Sequence, residues 1–520
     1  MAHRGGVWHP SLWVALLVGS LLSLPFVLAL GAGNSLSHDE HQHIAAGVLF
    51  SRDGLLPYRD FSYFHLPYLV YLYGLLFQFS DHYLLVSRLF SVLCAALTGG
   101  TIFAAAWRLF PQRTMGQRLA IGIAGIGVLL STPVFYDTVG HSWNQEPSVL
   151  LALLGFLCHY NALEQKQPGK RLFLSGILIG LAIGIRVTFA PLVLPFAVML
   201  WLRGPSARER WRQLLSFGSG IALALLPAAW ACFSGPAGFV FGNVEFPKVN
   251  IEYRFATGEP RTMTLATKLR FFFKLVMRPN WVLFHGFLIV ALTVWFRSRV
   301  PFFALPRLFL FLLLTIPFLL LGGLAPSPSF DQYFYPLAPF LVVGILSLFA
   351  VIPPGVSWSL WMWRVAASLA IFSVIFAGRR YHDLGKLLQP QLWNPSRLHL
   401  EATQLRRLVP TGRVLTLAPT LPLEAGLQIH PEFTTGPFAW RVAPYVAKDR
   451  HALLRILAAE NLTKRMEDDP PAAVLLGFEK RWEEPLARYA RSHGYILTPF
   501  LEDRQLWVAP PKEPDPQKGQ

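Results

Sequence analysis

The sequence predicts an all-α polytopic membrane bundle of about eleven transmembrane helices plus interfacial helices, followed by a small C-terminal soluble α/β domain. Three observations predict it. Of the 520 residues 53% are hydrophobic and only 14% charged, where a soluble domain carries roughly 25% charged residues. Apolar runs approaching the ~20 residues that cross a bilayer recur from position 12 to position 378. Beyond 378 short apolar strings alternate with helical periodicity, the pattern of a strand–helix–strand unit.

The runs lie near 12–30, 84–107, 117–136, 146–163, 172–188, 190–202, 214–233, 281–296, 302–325, 336–352 and 359–378. A cleaved signal peptide is the alternative reading of the first. Residues 66–79 form a shorter run, and the distribution of basic residues decides how it is read. With 66–79 lying in the interface and Arg4 on the cytoplasmic side, four basic clusters become cytoplasmic: Arg108/Arg113/Arg118, Lys166/Lys170/Arg171, Arg203/Arg208/Arg210/Arg212 and Arg297/Arg299. Residues 31–83, the 234–280 loop and everything after 378 then face outward. The division is 1–378 as the membrane part, 379–509 as the outer-face domain and 510–520 as a disordered tail rich in Pro, Lys and Asp.

The formal charge of +17 sits mostly in the membrane part: residues 1–378 hold 26 Lys/Arg against 13 Asp/Glu, and 379–520 hold 20 against 16. Basic loops flanking spans explain that excess. No single basic face or nucleic-acid motif accompanies it, so a nucleic-acid partner is not expected. Cys94, Cys158 and Cys232 stand far apart in apolar runs, without disulfide or metal spacing. In the C-terminal part VLTLA (414–418), AAVLLGF (472–478), 495–499 and 505–509 read as strands, and 451–466 and 481–493 as helices.

Residues 37–67, SHDEHQHIAAGVLFSRDGLLPYRDFSYFHLP, follow the first span. Acids kept at the mouth of a membrane bundle are functional candidates by default. Ile44, Val48 and Leu49 share a helical face, so 39–52 reads as an amphipathic helix on the membrane surface, with Asp39 and Glu40 near the positive end of its dipole. Asp39 is then either an N-cap, with Glu40 a solvated acid, or a general base for an acceptor hydroxyl. His38, His41, His43 and His65 invite a metal, but HDEHQH is not HExxH; no metal or other cofactor is expected.

Arg186 lies 15 residues beyond Arg171, near the far end of the fifth span, as a phosphate ligand or as the partner of an acid such as Asp137 or Glu146. The 234–280 loop carries Lys248, Arg254, Arg261, Lys268, Arg270, Lys274 and Arg278 among aromatics, cations suited to lipid headgroups or a phosphorylated donor. Arg254 is the candidate chosen there. Tyr333 and Tyr335, in SFDQYFYPLAP, are belt aromatics or site residues.

At these residues the chain resembles the GT-C superfamily of integral-membrane glycosyltransferases, in particular its protein O-mannosyltransferase, aminoarabinose-transferase and RgtA/B/C/D-like branch. The likeness rests on Asp39-Glu40 after one span, Gly54…Pro57-Tyr58…Asp60-Phe61, His65…Pro67, and Tyr333-Phe334-Tyr335-Pro336…Pro339 before a late span. It implies a polyprenyl-phosphate-linked sugar as donor and inverting transfer to an acceptor hydroxyl on the outer face of the bacterial inner membrane. Asp39 matches the base and Glu40 its neighbouring acid; Asp60, His65, Arg186 and Tyr333 fall to substrate binding. Asp331-Gln332 stand where the family commonly has a basic or histidine residue. The sugar and the acceptor (lipid, polysaccharide or protein) stay open, as do two other readings of the chain: a flippase for lipid-linked glycans and a non-catalytic scaffold.

Overall fold

The computed structural model describes residues 10–165, 167–203, 206–258, 264–351 and 357–510. Arg4, Lys166, Arg261 and the tail beyond 510 lie outside these residues. The chain divides into two compact units. The cut is not a single one near 379: the unit holding the C-terminal residues also takes in 35–87 and 230–258.

The first unit comprises 1–34, 88–229 and 259–393. Seven described helices are long and apolar enough to cross a membrane, from α1 (Pro10–Gly33) to the helix Ser357–Arg380. An eighth forms if Ala207–Ala224 and Leu226–Ser234, bent by 43° at their junction, count as one crossing. Helices occupy every apolar run read from the sequence, but Met115–Ser131 and Val193–Arg203 are shorter than a full span. The eleven crossings therefore exceed what length and composition alone support.

Packing follows residue size. Gly176 and Gly180 of Gly169–Ile185 meet Ala207–Ala224 so closely that a Cβ on Gly176 would fall 2.1 Å from the Phe217 carbonyl. Small residues at four-residue spacing allow this backbone approach in a bilayer, where dispersion replaces the hydrophobic effect. Phe156, Phe196, Phe311 and Phe340 form the aromatic centre of the bundle, with Phe156 and Phe311 stacked at 4.4 Å.

The second unit comprises 35–87, 230–258 and 394–520. Here α2 (His38–Arg52) is not an interfacial amphipathic helix: every residue from Glu40 to Leu49 is buried. The polar residues Glu40, His41, Gln42 and His43, consecutive positions that sweep about 300° around the helix, are buried too, so this stretch leaves no face to water. α3 (Tyr68–Leu76) has nine residues, about 14 Å at ~1.5 Å per residue, too short to cross.

The α/β part carries five strands: β1 (Arg413–Leu415), β2 (Gln428–Ile429), β3 (Ala473–Leu476), β4 (Ile496–Leu501) and β5 (Arg504–Val508). Their order is β2-β1-β3-β5-β4, parallel across the first three and antiparallel where β5 meets β3 and β4. Four were anticipated. The two-residue β2 is too short to leave a pattern, and the helix expected over 451–466 is broken at Arg455, which adopts φ 54°.

Candidate active site

The candidate residues fall in two places, one in each unit. In the second unit, Ser37 caps α2 and Glu40 closes the capping box, its Oε2 accepting from the Ser37 N–H at 2.9 Å. Glu40 is thus a buried capping acid, neither solvated nor facing outward, and Ser37 rather than Asp39 holds the cap position. The Asp39 side chain remains 33% exposed, with His38 Nε2 3.9 Å from its Oδ1.

The Asp39 charge is felt by Arg441 and Glu479. Arg441 is buried, donates from Nη2 to Asn250 Oδ1 at 3.0 Å and lies 4.6 Å over the Phe438 ring, with Tyr253 and Trp482 also beneath its plane. Burial, then repulsion from Arg254, lowers the Arg441 guanidinium to about 10, against the pull of Tyr253, Asp39 and Glu479. Burial, then Glu483, lifts the Glu479 carboxyl to about 7 despite Arg441. Arg254, in the last turn of Phe246–Ala256, thus acts on the same Arg441 guanidinium as Asp39 does.

Sequence reasoning missed Arg441 and Glu479. Glu479 left a signal: it follows the buried strand β3 through the turn at Gly477, φ 114°, where α/β sheets present functional side chains. Glu483 fixes that turn by accepting from the N–H groups of Gly477 at 2.6 Å and Glu479 at 2.9 Å.

Around PYRDF the chain makes a tight turn, Tyr58 N–H to Phe61 carbonyl at 2.9 Å, with Tyr58 at φ 69°. Asp60 is engaged in it, its Oδ2 accepting from Leu56 N–H at 2.8 Å and from Arg59 at 2.7 Å. The Tyr58 hydroxyl donates to the His65 carbonyl. The His65 ring stands 5.1 Å from that of His43, whose Nδ1 is 2.8 Å from the Tyr63 hydroxyl. His41 is buried against Thr420 Oγ1 at 2.7 Å, and burial lowers its pKa to about 3. His43 and His65 pack against each other and Tyr63, His41 against Thr420 and Phe478, and they form no three-ligand group among the described residues.

In the first unit Arg186 and Tyr333 come together. Arg186 ends the helix Gly169–Ile185, lies 5.1 Å over the Tyr333 ring and donates to Asn144 Oδ1 at 2.9 Å and Thr188 Oγ1 at 3.0 Å. Asp331 pairs with Arg278, so a cation reaches the late loop from another segment where the local sequence has none. Lys268 serves the C-terminus of Arg307–Leu324, donating to the Leu324 carbonyl at 2.8 Å. Arg88 was not singled out from the sequence; it is 1% exposed and donates to the carbonyls of Asn34 at 2.6 Å and Gly31 at 3.1 Å beyond and within the end of α1.

Residues 65–232 match the family model described as Dolichyl-phosphate-mannose-protein mannosyltransferase, less than half of the chain. The crystal structure of ArnT from Cupriavidus metallidurans bound to undecaprenyl phosphate is similar over 96% of this chain and 99% of its own, with TM-score 0.59 and 14% identity. The apo structure of the same protein gives 0.60 and 13% over the same shares. A local match, 28% identical over 131 residues, joins 22% of this chain to the zinc transporter ZIP13 of Pongo abelii. The chain spans only 40% of that relative's length, and the match supports no functional statement.

The whole-chain likeness is thus to ArnT in fold, and a segment of less than half the chain is similar to the mannosyltransferase model.

Proposed function

We propose that the protein transfers a sugar from a polyprenyl-phosphate-linked donor to an acceptor hydroxyl, with inversion, at the outer face of the inner membrane. The observation that carries this reading is Asp39: an accessible carboxylate on the first turn of a helix that is buried from Glu40 to Leu49. Burying the four polar residues that follow it is costly, the more so because His41 Nε2 and Gln42 Oε1 have no hydrogen-bond partner among the described residues, and such costs are borne where a segment serves a site.

Asp39 takes the proton of the acceptor O–H as its oxygen attacks the anomeric carbon. The bond from that carbon to the phosphate oxygen breaks, and the lipid phosphate leaves with its electron pair. The leaving group is already on the donor, so the step requires no cofactor. Arg186, held flat by Tyr333 and Asn144, presents a fork of N–H donors for the phosphate. Arg254 and Arg441 supply positive charge near the base, and Glu40 positions it through the capping box. Asp60 and His65 set the turn beside it. ArnT's structure with undecaprenyl phosphate supports a lipid phosphate as donor.

The proposed topology keeps eleven crossings, the N-terminus cytoplasmic and the 379–509 domain outside, because this parity puts the four arginine-rich clusters on the cytoplasmic side, where the opposite parity would put them outside. To test the activity, the purified protein is incubated with polyprenyl-phosphate sugars and candidate acceptors. Release of free polyprenyl phosphate with an inverted product linkage supports the reading. Release with retained configuration sinks the single-displacement mechanism.

A further inference from the structure

Away from Asp39, three side chains on two separated segments of the second unit converge. Asp81 and His82 immediately precede the helix Tyr83–Leu109, and His399 lies on Asn394–Leu408. One ligand atom from each lies within 4.8 Å of the others. The two imidazoles stack at 3.6 Å with their planes 16° apart, and Asp81 Oδ1 is 4.0 Å from His82 Nε2.

Behind His399 stands Glu424, whose carboxylate is fully buried. Its Oε1 lies 3.2 Å from His399 Nδ1, and its Oε2 accepts from the Leu84 N–H at 3.2 Å. A carboxylate on one imidazole nitrogen fixes the ring and leaves the other nitrogen for a ligand, the arrangement that metal-binding histidines use. Nothing in sugar transfer calls for this cluster. Two stacked imidazoles flanked by two carboxylates form a strongly donating set with no apolar role to explain it.

We infer that Asp81, His82 and His399 form a binding site for a divalent transition metal of the zinc type, with Glu424 orienting His399. Two imidazoles and a carboxylate suit such an ion and leave a fourth position for water. Tetrahedral ligand atoms ~2.0–2.2 Å from a metal are about 3.4 Å apart. Closing from 4.8 Å requires the exposed Asp81 to swing inward and the half-exposed His82 to rotate out of its stack on His399, because imidazole lone pairs lie in the ring planes and parallel rings do not converge on one ion. The ion ties the segment before Tyr83 to the helix Asn394–Leu408, and so contributes to the stability of the second unit. Proton competition makes its affinity fall in acid.

The test uses the full chain purified in detergent, stripped with chelator and titrated with Zn²⁺, with metal content and melting temperature read together. Co²⁺ absorption serves as a second probe. Wild type is expected to retain about one ion per chain, to melt higher with metal, and to give Co²⁺ d–d bands without thiolate charge transfer. His82→Ala with His399→Ala lowers affinity at least tenfold while melting as metal-free wild type does. Glu424→Gln weakens binding by about 10–100-fold. His38→Ala with His43→Ala leaves binding intact. The proposal is overturned if wild type holds no ion, if the His82/His399 double variant binds as wild type does, or if binding depends on His38 and His43 instead. Should the double variant not purify folded, the wild-type Co²⁺ spectrum decides alone: absence of nitrogen- and oxygen-ligated tetrahedral bands rejects the site.

Discussion

Arg186 lies 5.1 Å over the ring of Tyr333, and Asn144 fixes its Nη1 at 2.9 Å. Three segments separated in sequence thereby hold one guanidinium flat. A lysine keeps the charge but has neither the planar fork nor the stacking face. Arg186→Lys is therefore expected to lower kcat/KM for the lipid-linked donor roughly 10–100-fold, the equivalent of about 1.5–3 kcal/mol for a hydrogen bond to a charged group. Steady-state kinetics with varied donor checks it; unchanged kinetics removes Arg186 from the phosphate site.

Glu479 gives a pH signature. Burial favours its neutral form and lifts its pKa from 4.5 to about 7. Between those values the folded chain holds a proton that the unfolded chain has released. The stabilisation is complete below about 4.5 and is lost as pH rises through about 7. Glu479→Gln, which cannot ionise, lacks this loss. Melting curves of wild type and variant from pH 4 to 8 are expected to diverge as pH rises, with wild type falling behind; parallel curves contradict the assignment.

Much of this architecture was legible because it is written in long apolar runs and in strand-length strings such as AAVLLGF. Asp39, Arg186 and Tyr333 were legible as polar residues in costly places. Arg441 was not, because its surroundings depend on Asn250, Tyr253 and Trp482, which come from two distant segments, as well as on the nearby Phe438. The surface reading of α2 failed for a related reason. Periodicity reports which face is apolar, and the polar face of α2 is buried against protein that the local sequence does not announce.

Gly238 and Gly242 bring the Pro236–Glu245 segment onto the turn that follows α2. A Cβ on Gly238 would stand 2.2 Å from the Tyr58 carbonyl, and one on Gly242 would stand 2.0 Å from that of Tyr63. Neither carbonyl can yield without disturbing the turn, so either alanine is expected to cost about 1–3 kcal/mol. Gly218→Ala, which meets nothing within 4 Å, is expected to be neutral or slightly stabilising. Thermal unfolding of the three variants checks the contrast, and equal effects would contradict it.

Glu40 separates position from charge. As the acid of a capping box it can be replaced by glutamine, which makes the same bond to the Ser37 N–H, whereas alanine is expected to cost about 1 kcal/mol. Glu40→Gln should therefore keep both the melting temperature and most of the turnover, while Glu40→Ala loses stability. Abolished turnover in a stable Glu40→Gln would show that its charge takes part directly.

The central claim is that Asp39 is the base. Wild type and Asp39→Asn are assayed for release of polyprenyl phosphate from a lipid-linked sugar in the presence of its acceptor, with melting temperature as the control for folding. The account predicts turnover reduced at least 100-fold in a variant that melts as wild type does, in line with the ~10²–10⁴-fold that a positioned base contributes. Equal turnover in the two proteins would contradict it.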